Sequence, residues 1–261
     1  MGNRVLPCLV SAAMMASMGF ADEWKKSFPV SVKADLRVSV TDGGITIHSW
    51  DRKEVGARVV TQGWNISPSE VRVTDHAAGD RVEIEVRTPR EFVSIGRHSV
   101  HVELLVPHEL RAELHTGDGG ISAQELKGEL YFSTGDGGIE ADAVDGTLDA
   151  KTGDGHIRAS GRWDQVDLRT DDGSVEATAR EGSKMTSSWH VQTGDGHITL
   201  HLPEHFAADL DAHTGDGKVT VDFPVTVSGS VSGSEIRGKL NGGGQILQVR
   251  TGDGGIHVQR L

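Results

Sequence analysis

TGDGGI occupies residues 134–139, and the same six letters stand at 116–121 and again at 251–256. TGDGHI at 152–157 and 193–198, TDDGSV at 170–175 and TGDGKV at 214–219 are close variants. Thr116, Thr134, Thr152 and Thr170 are separated by steps of 18 residues, and Thr193 and Thr214 follow after 23 and 21. A period held over successive copies marks a repeat architecture, in which one small structural unit stacks on the next. NGGGQI at 241–246 reads as a degenerate copy and TDGGI at 41–45 as a shortened one.

The flanks repeat with the hexamer. Ala123, Ala141, Ala159 and Ala177 each stand two residues past the Ile or Val, and apolar residues alternate before each Thr, as in Leu130 and Phe132 or Val166 and Leu168. That alternation is the period of a strand with one face buried. Each 18-residue unit therefore reads as strand, TGDG turn, strand and second turn, the latter placed at Lys127-Gly128 and Asp145-Gly146. Identical Thr, Ala and Ile positions favour direct stacking about 4.8 Å apart over a meander with an intervening strand. The expected fold is all-β, a parallel β-solenoid with 18-residue coils over residues 111–261. Residues 22–110, which alternate well but carry longer loops, are expected to form an irregular N-terminal β cap. A weaker echo between 106–121 and 202–219 suggests that the array restarts near residue 202.

The amino terminus has a different character. Met1–Arg4 form a short positive segment, Val5–Phe20 is mainly apolar, and Gly19-Phe20-Ala21 offers a cleavage site. The run is too short for a membrane span, so residues 1–21 read as a signal peptide of an exported chain, periplasmic, at the cell surface or secreted. Cys8, the only cysteine, lies inside it and too early for lipid attachment. The formal charge is −12, which with the lack of a basic run argues against nucleic acid as a partner.

The hexamers, the Pro-led strands at 106–116 and 202–214, Ile47-His48-Ser49-Trp50-Asp51 and GKLNGGGQILQVRTGDGGIHV at 238–258 together resemble the DUF4097 family of bacterial adhesin-like β-strand-repeat proteins. That family is related to the head domains of auto-transporter adhesins. The resemblance spans nearly all of the chain after residue 21. It implies a β-repeat fold and an adhesin-like structural or interaction role.

The Gly after each Asp (Gly119, Gly137, Gly155, Gly173, Gly196, Gly217 and Gly254) is expected to be the strict requirement of the turn, because Gly takes positive φ freely. The Asp reads as dispensable, since Gly243 stands at its place in NGGGQI. In a stacked array, Asp118, Asp136, Asp154 and Asp172 would form a carboxylate ladder. Neighbours 4.8 Å apart repel by about 0.9 kcal/mol in water, which a calcium ion would relieve. The calcium-binding nonapeptide pattern is absent, so no cofactor is expected and a calcium-stiffened adhesin is the alternative. Catalytic use of the hexamer acids, as in a carbohydrate-active β-helix enzyme, is a second alternative. Trp163 and Trp189 interrupt the repeat and are candidates either to stack a sugar at the surface or to cover the core. His197, His201 and His205 lie about 13 Å apart per step on a strand, too far to share a metal. The reading is a non-enzymatic interaction module whose partner is an envelope protein or a glycan. Self-association is expected through the last coil, Ile256 to Leu261, which has no evident cap.

Overall fold

The computed structural model of this protein describes residues 21–31, 33–89 and 98–261. Residues 1–20, where a signal peptide and Cys8 are expected, lie outside the described residues. The described residues form two sheets of eleven and twelve strands and contain no helix. A β-solenoid carries both sheets: each coil gives one strand to the twelve-stranded sheet B and the next to the eleven-stranded sheet A, and where the coil carries a hexamer the turn between them passes through it.

Stacking is parallel and in register. Ile139 pairs with Ile121 on one side and Ile157 on the other, and Ala141 with Ala123 and Ala159. In sheet B, Leu130 pairs with Ala112 and Leu148, and Phe132 with Leu114 and Ala150. These columns point inward and are buried, because successive side chains of a strand point to opposite faces. The core is thus a thin slab between the sheets.

The order of coils along the stack departs from the order in the chain at both ends. Arg81–Arg87 with Ser99–Pro107 forms the outermost coil at one end, and Ala34–Val40 with Gly44–Trp50 is slotted between it and Glu109–Thr116. At the other end, Ile246–Asp253 with Ile256–Arg260 enters between the coil of Trp189–Asp195 and Ile198–Leu202 and that of Ala208–Asp216 and Val219–Val221. Antiparallel strands then close the ends. Glu54–Gln62 and Ala21–Pro29 extend sheet A, and Arg72–Ala78 extends sheet B. Glu235–Leu240 and Val225–Val231 extend sheet B at the far end.

This order corrects two expectations. Ile256–Arg260 is not an exposed last coil, since it is hydrogen-bonded to a strand on each side; the edge of sheet A is instead the three-residue Val219–Val221. NGGGQI at 241–246 is no coil corner. It is the reversal between Glu235–Leu240 and Ile246–Asp253, with positive φ at Asn241, Gly242 and Gly243. Gly243 therefore says nothing about whether the hexamer Asp is dispensable.

The copy at 41–45 is in turn complete. Val40 pairs with Thr116 and Ile45 with Ile121, so the hexamer is VTDGGI with Val40 in the Thr position. The second corner also shifts. It begins at Glu125 (φ 57°) and Ala143 (φ 53°), followed by buried Leu126 and Val144, while Gly128 and Gly146, also at positive φ (132° and 101°), already belong to the next strands.

Candidate functional site

The hexamer turns out to be a fastening between coils. Each hexamer Thr is buried, and its hydroxyl donates to a Gly carbonyl of the neighbouring coil. Thr134 reaches Gly119 O at 2.7 Å, Thr152 reaches Gly137 O at 2.8 Å, Thr170 reaches Gly155 O at 2.8 Å and Thr193 reaches Gly173 O at 2.7 Å. Thr251 reaches Gly196 O at 2.9 Å and Thr214 reaches Gly254 O at 2.8 Å, which follows the stacking order and not the chain order. The same Oγ1 accepts from its own turn, from Gly155 N at 3.2 Å for Thr152. Val40 fits this scheme, since the coil outside it has no hexamer in its connection.

The second Gly is required for close approach more than for positive φ. Gly217 and Gly254 have positive φ, but Gly119, Gly137, Gly155, Gly173 and Gly196 do not. A Cβ on Gly137 would stand 2.7 Å from Gly120 N and closer still to the Gly119 carbonyl, and the other members of the column meet the same obstacle.

The remaining candidates divide clearly. Asp118, Asp136, Asp154 and Asp172 lie exposed on the corner edge. Among the described residues, no group of three or more His, Cys, Asp or Glu side chains is placed to hold a metal ion. Trp163 and Trp189 are 1% and 2% exposed, stacked edge-on at 6.1 Å, with Phe206 5.1 Å beyond Trp189. They fill the core at the irregular coil and are not a surface platform, which corrects the sugar-stacking expectation. His197 accepts a hydrogen bond from Gly255 N at 2.9 Å, joining two corners.

The structure brings together another set of residues, on the outer face of sheet A at the N-terminal cap. Period-two alternation turns Ile45 and Ile47 inward and Thr46, His48 and Trp50 outward. Two rows of side chains cross four strands here. Ser27, Gly56, Leu105 and His48 form one row, and Lys25, Arg58, Glu103 and Thr46 the other. Between them lies a groove of about 670 Å³. Trp50 forms its wall. The indole Nε1 donates to Glu54 O at 2.8 Å, and the ring rests on Gly56, where a Cβ would come within 2.9 Å of Cη2. Arg52 stacks over the same ring with its guanidinium 4.8 Å from the centroid. Leu105, 40% exposed, supplies apolar floor. Arg58 bridges Glu103 at 2.8 Å and Glu23. Its pKa is raised by those two carboxylates, Glu103 first, while Lys25 and then Arg58 hold Glu23 below the ordinary carboxylate range.

Trp50 entered the sequence reading only through the resemblance. The signal that would have found it was parity, because a Trp two residues past His48 on an amphipathic strand must face outward. Its companions could not be found that way. Lys25, Gly56 and Leu105 come from three separate strands that only the sheet order makes neighbours.

No family model and no curated protein match this chain. Solved structures similar to it include a "putative cell adhesion protein" from Clostridium sporogenes, at 14% identity over 93% of this chain and 100% of the other, with a TM-score of 0.41. Another is a "putative adhesin" from Parabacteroides merdae, at 10% identity over 91% and 96%, with a TM-score of 0.46. A third is a "putative lipid binding protein" from Parabacteroides distasonis, at 13% identity over 92% and 98%, with a TM-score of 0.43.

Proposed function

We propose that this chain is an exported, non-enzymatic β-solenoid of the DUF4097 adhesin-like type, a structural and interaction module of the bacterial envelope. The observation that carries the reading is the groove at Trp50. A half-buried aromatic ring, fixed at the surface by its own hydrogen bond and a fitted glycine, is arranged for contact, since rigid aromatics supply contact area at low entropic cost. The hexamer acids, by contrast, sit on an exposed edge. The coils act as a rigid post that presents this face.

Purified protein lacking residues 1–21, applied to a glycan array and to isolated envelopes, tests the proposal. Saturable binding without product formation is expected. Release of shortened glycan that is lost in Asp136→Ala and Asp154→Ala would replace the reading with a hydrolase. Cell fractionation checks the location, with the protein expected outside the cytoplasm and intact cytoplasmic retention counting against export.

A further inference from the structure

We propose that the edge of sheet B at Val225–Val231 is a self-association surface, where a second copy of this chain pairs antiparallel about a two-fold axis through Thr226; this goes beyond the module reading. The open end of the slab is the first observation. Sheet A stops at Val219–Val221, in the coil of Ala208–Asp216, whereas sheet B runs on through Glu235–Leu240 and Val225–Val231. Register sets the inward rows of those two strands. Leu240 and Val225 lie in the row of Ala208, Gly238 and Val227 in that of Leu210, and Ile236 in that of Ala212. With no strand of sheet A opposite them among the described residues, their cover fades towards the edge. Leu240 is buried, Val225 and Ile236 are half-buried, and Val227 is 51% exposed. The other end is covered, since the segment 63–71 lays Trp64, Ile66 and buried Val71 against the core.

The edges also differ in charge. Ala21–Pro29 carries Asp22, Glu23, Lys25 and Lys26, and Arg72–Ala78 carries Arg72, Asp75 and His76. Charged side chains keep a sheet edge from pairing with another chain. Val219–Val221 is only three residues long, and Val219 N already donates to Gly233 O at 2.9 Å. Val225–Val231 reads VTVSGSV, with no charge and no proline. Its ladder to Glu235–Leu240 breaks after Val227 and rejoins at Val231, so Val225–Val227 is the regular stretch.

A second copy fits both features. The chain carries a formal charge of −12, so two copies repel over most of their surface. At this edge they do not. The edge strand is neutral, and the strand beside it sets Lys239 opposite Asp209 and Arg237 opposite Asp211. An antiparallel strand is its own complement under a two-fold axis. With Thr226 on the axis, Val225 of each copy stands opposite Val227 of the other. Both lie on the inner face, so each uncovered valine gains an apolar neighbour. Head-to-tail stacking would instead set this edge against the charged strands of the other end and grow without limit. The two-fold pairing closes as a dimer, and its short regular stretch makes it reversible.

The chain from residue 22 has no thiol, because Cys8 is the only cysteine. Thr226→Cys therefore places a single thiol on the axis, where directly opposite Cβ atoms lie about 5 Å apart. Mild oxidation is expected to give a disulfide-linked dimer, while Thr74→Cys, on the charged edge of Arg72–Ala78, stays monomeric. Light scattering of the unmodified protein over a concentration series is expected to rise from monomer to dimer mass and no further. The dimer should strengthen as salt screens the net charge. Val227→Lys, at an exposed position, should weaken it about tenfold or more and leave the melting temperature of the dilute monomer unchanged. A protein that stays monomeric at about 100 µM, leaving the edge to a strand of another protein, would overturn the assignment. So would Thr226→Cys that crosslinks no faster than Thr74→Cys, masses beyond the dimer, a dimer that weakens with salt, or Val227→Lys that associates like wild type. Glycan or envelope binding is measured separately, so the module reading survives each of these outcomes.

Discussion

At Thr152 a single hydroxyl serves two neighbours, donating to Gly137 O and accepting from Gly155 N. Replacing it with Val, the residue that the protein itself places in the equivalent slot at position 40, should leave both backbone groups short of a partner and cost about 1–2 kcal/mol. Gly137→Ala should cost more, about 3 kcal/mol, because the added methyl meets backbone that cannot swing aside. Asp136→Asn, on the exposed edge, should stay within about 0.5 kcal/mol. Urea denaturation of the three variants checks the ranking. A loss at Asp136→Asn equal to that at Gly137→Ala would return the carboxylate to the centre of the turn. The hexamer was legible in the sequence as a corner, but its reason was not. Positive φ can be inferred from a letter, whereas a collision with a carbonyl 18 residues away needs the neighbouring coil in place.

At the scale of elements, the coil of Ile246–Asp253 and Ile256–Arg260 matters most. It pairs on both sides in both sheets, so it joins the segment 208–240 to the rest of the stack. A chain ending at residue 240 should therefore lose more than its own last coil. Amide exchange is expected to show 208–240 unprotected while 121–179 remains protected. Continued protection of 208–240 in the shortened chain would mean that this coil is not the link. The strand pattern on 246–260 was readable from alternation, and so was its corner. Its place was not, because every coil carries the same ladder and any of them would accept it as neighbour; the loop path and the antiparallel pair Val225–Val231 and Glu235–Leu240 decide the order.

For the whole molecule, acid should act on one end first. Asp80 accepts from Ser31 N and Oγ, Glu23 is held by Lys25 and Arg58, and Glu83 by Arg81, and each lies below its ordinary pKa for that reason. A carboxylate whose folded pKa is depressed stabilises the fold above its unfolded value, 3.8 for Asp80 and 4.5 for the glutamates. That stabilisation is lost as pH falls through the folded value. All three sit in the N-terminal cap. Between pH 6 and 3, protection of 22–31 and 72–87 is expected to fall before that of 139–179, followed by hydrogen exchange at each pH. Simultaneous loss along the stack would show that the cap has no separate acid sensitivity.

What the sequence determined by itself was the local and the periodic: strands from alternation, a corner from TGDG, and stacked coils from a constant step of 18. These follow from short-range geometry repeated, so a period in letters becomes a period in space. The tertiary structure alone decided which coils are neighbours, that Trp163 and Trp189 are interior, and that Trp50 shares a groove with Lys25, Arg58 and Leu105. The physical reason is that equivalent coils present interchangeable edges to one another. Their order, and every surface that spans several of them, is settled only when the antiparallel ends close the stack.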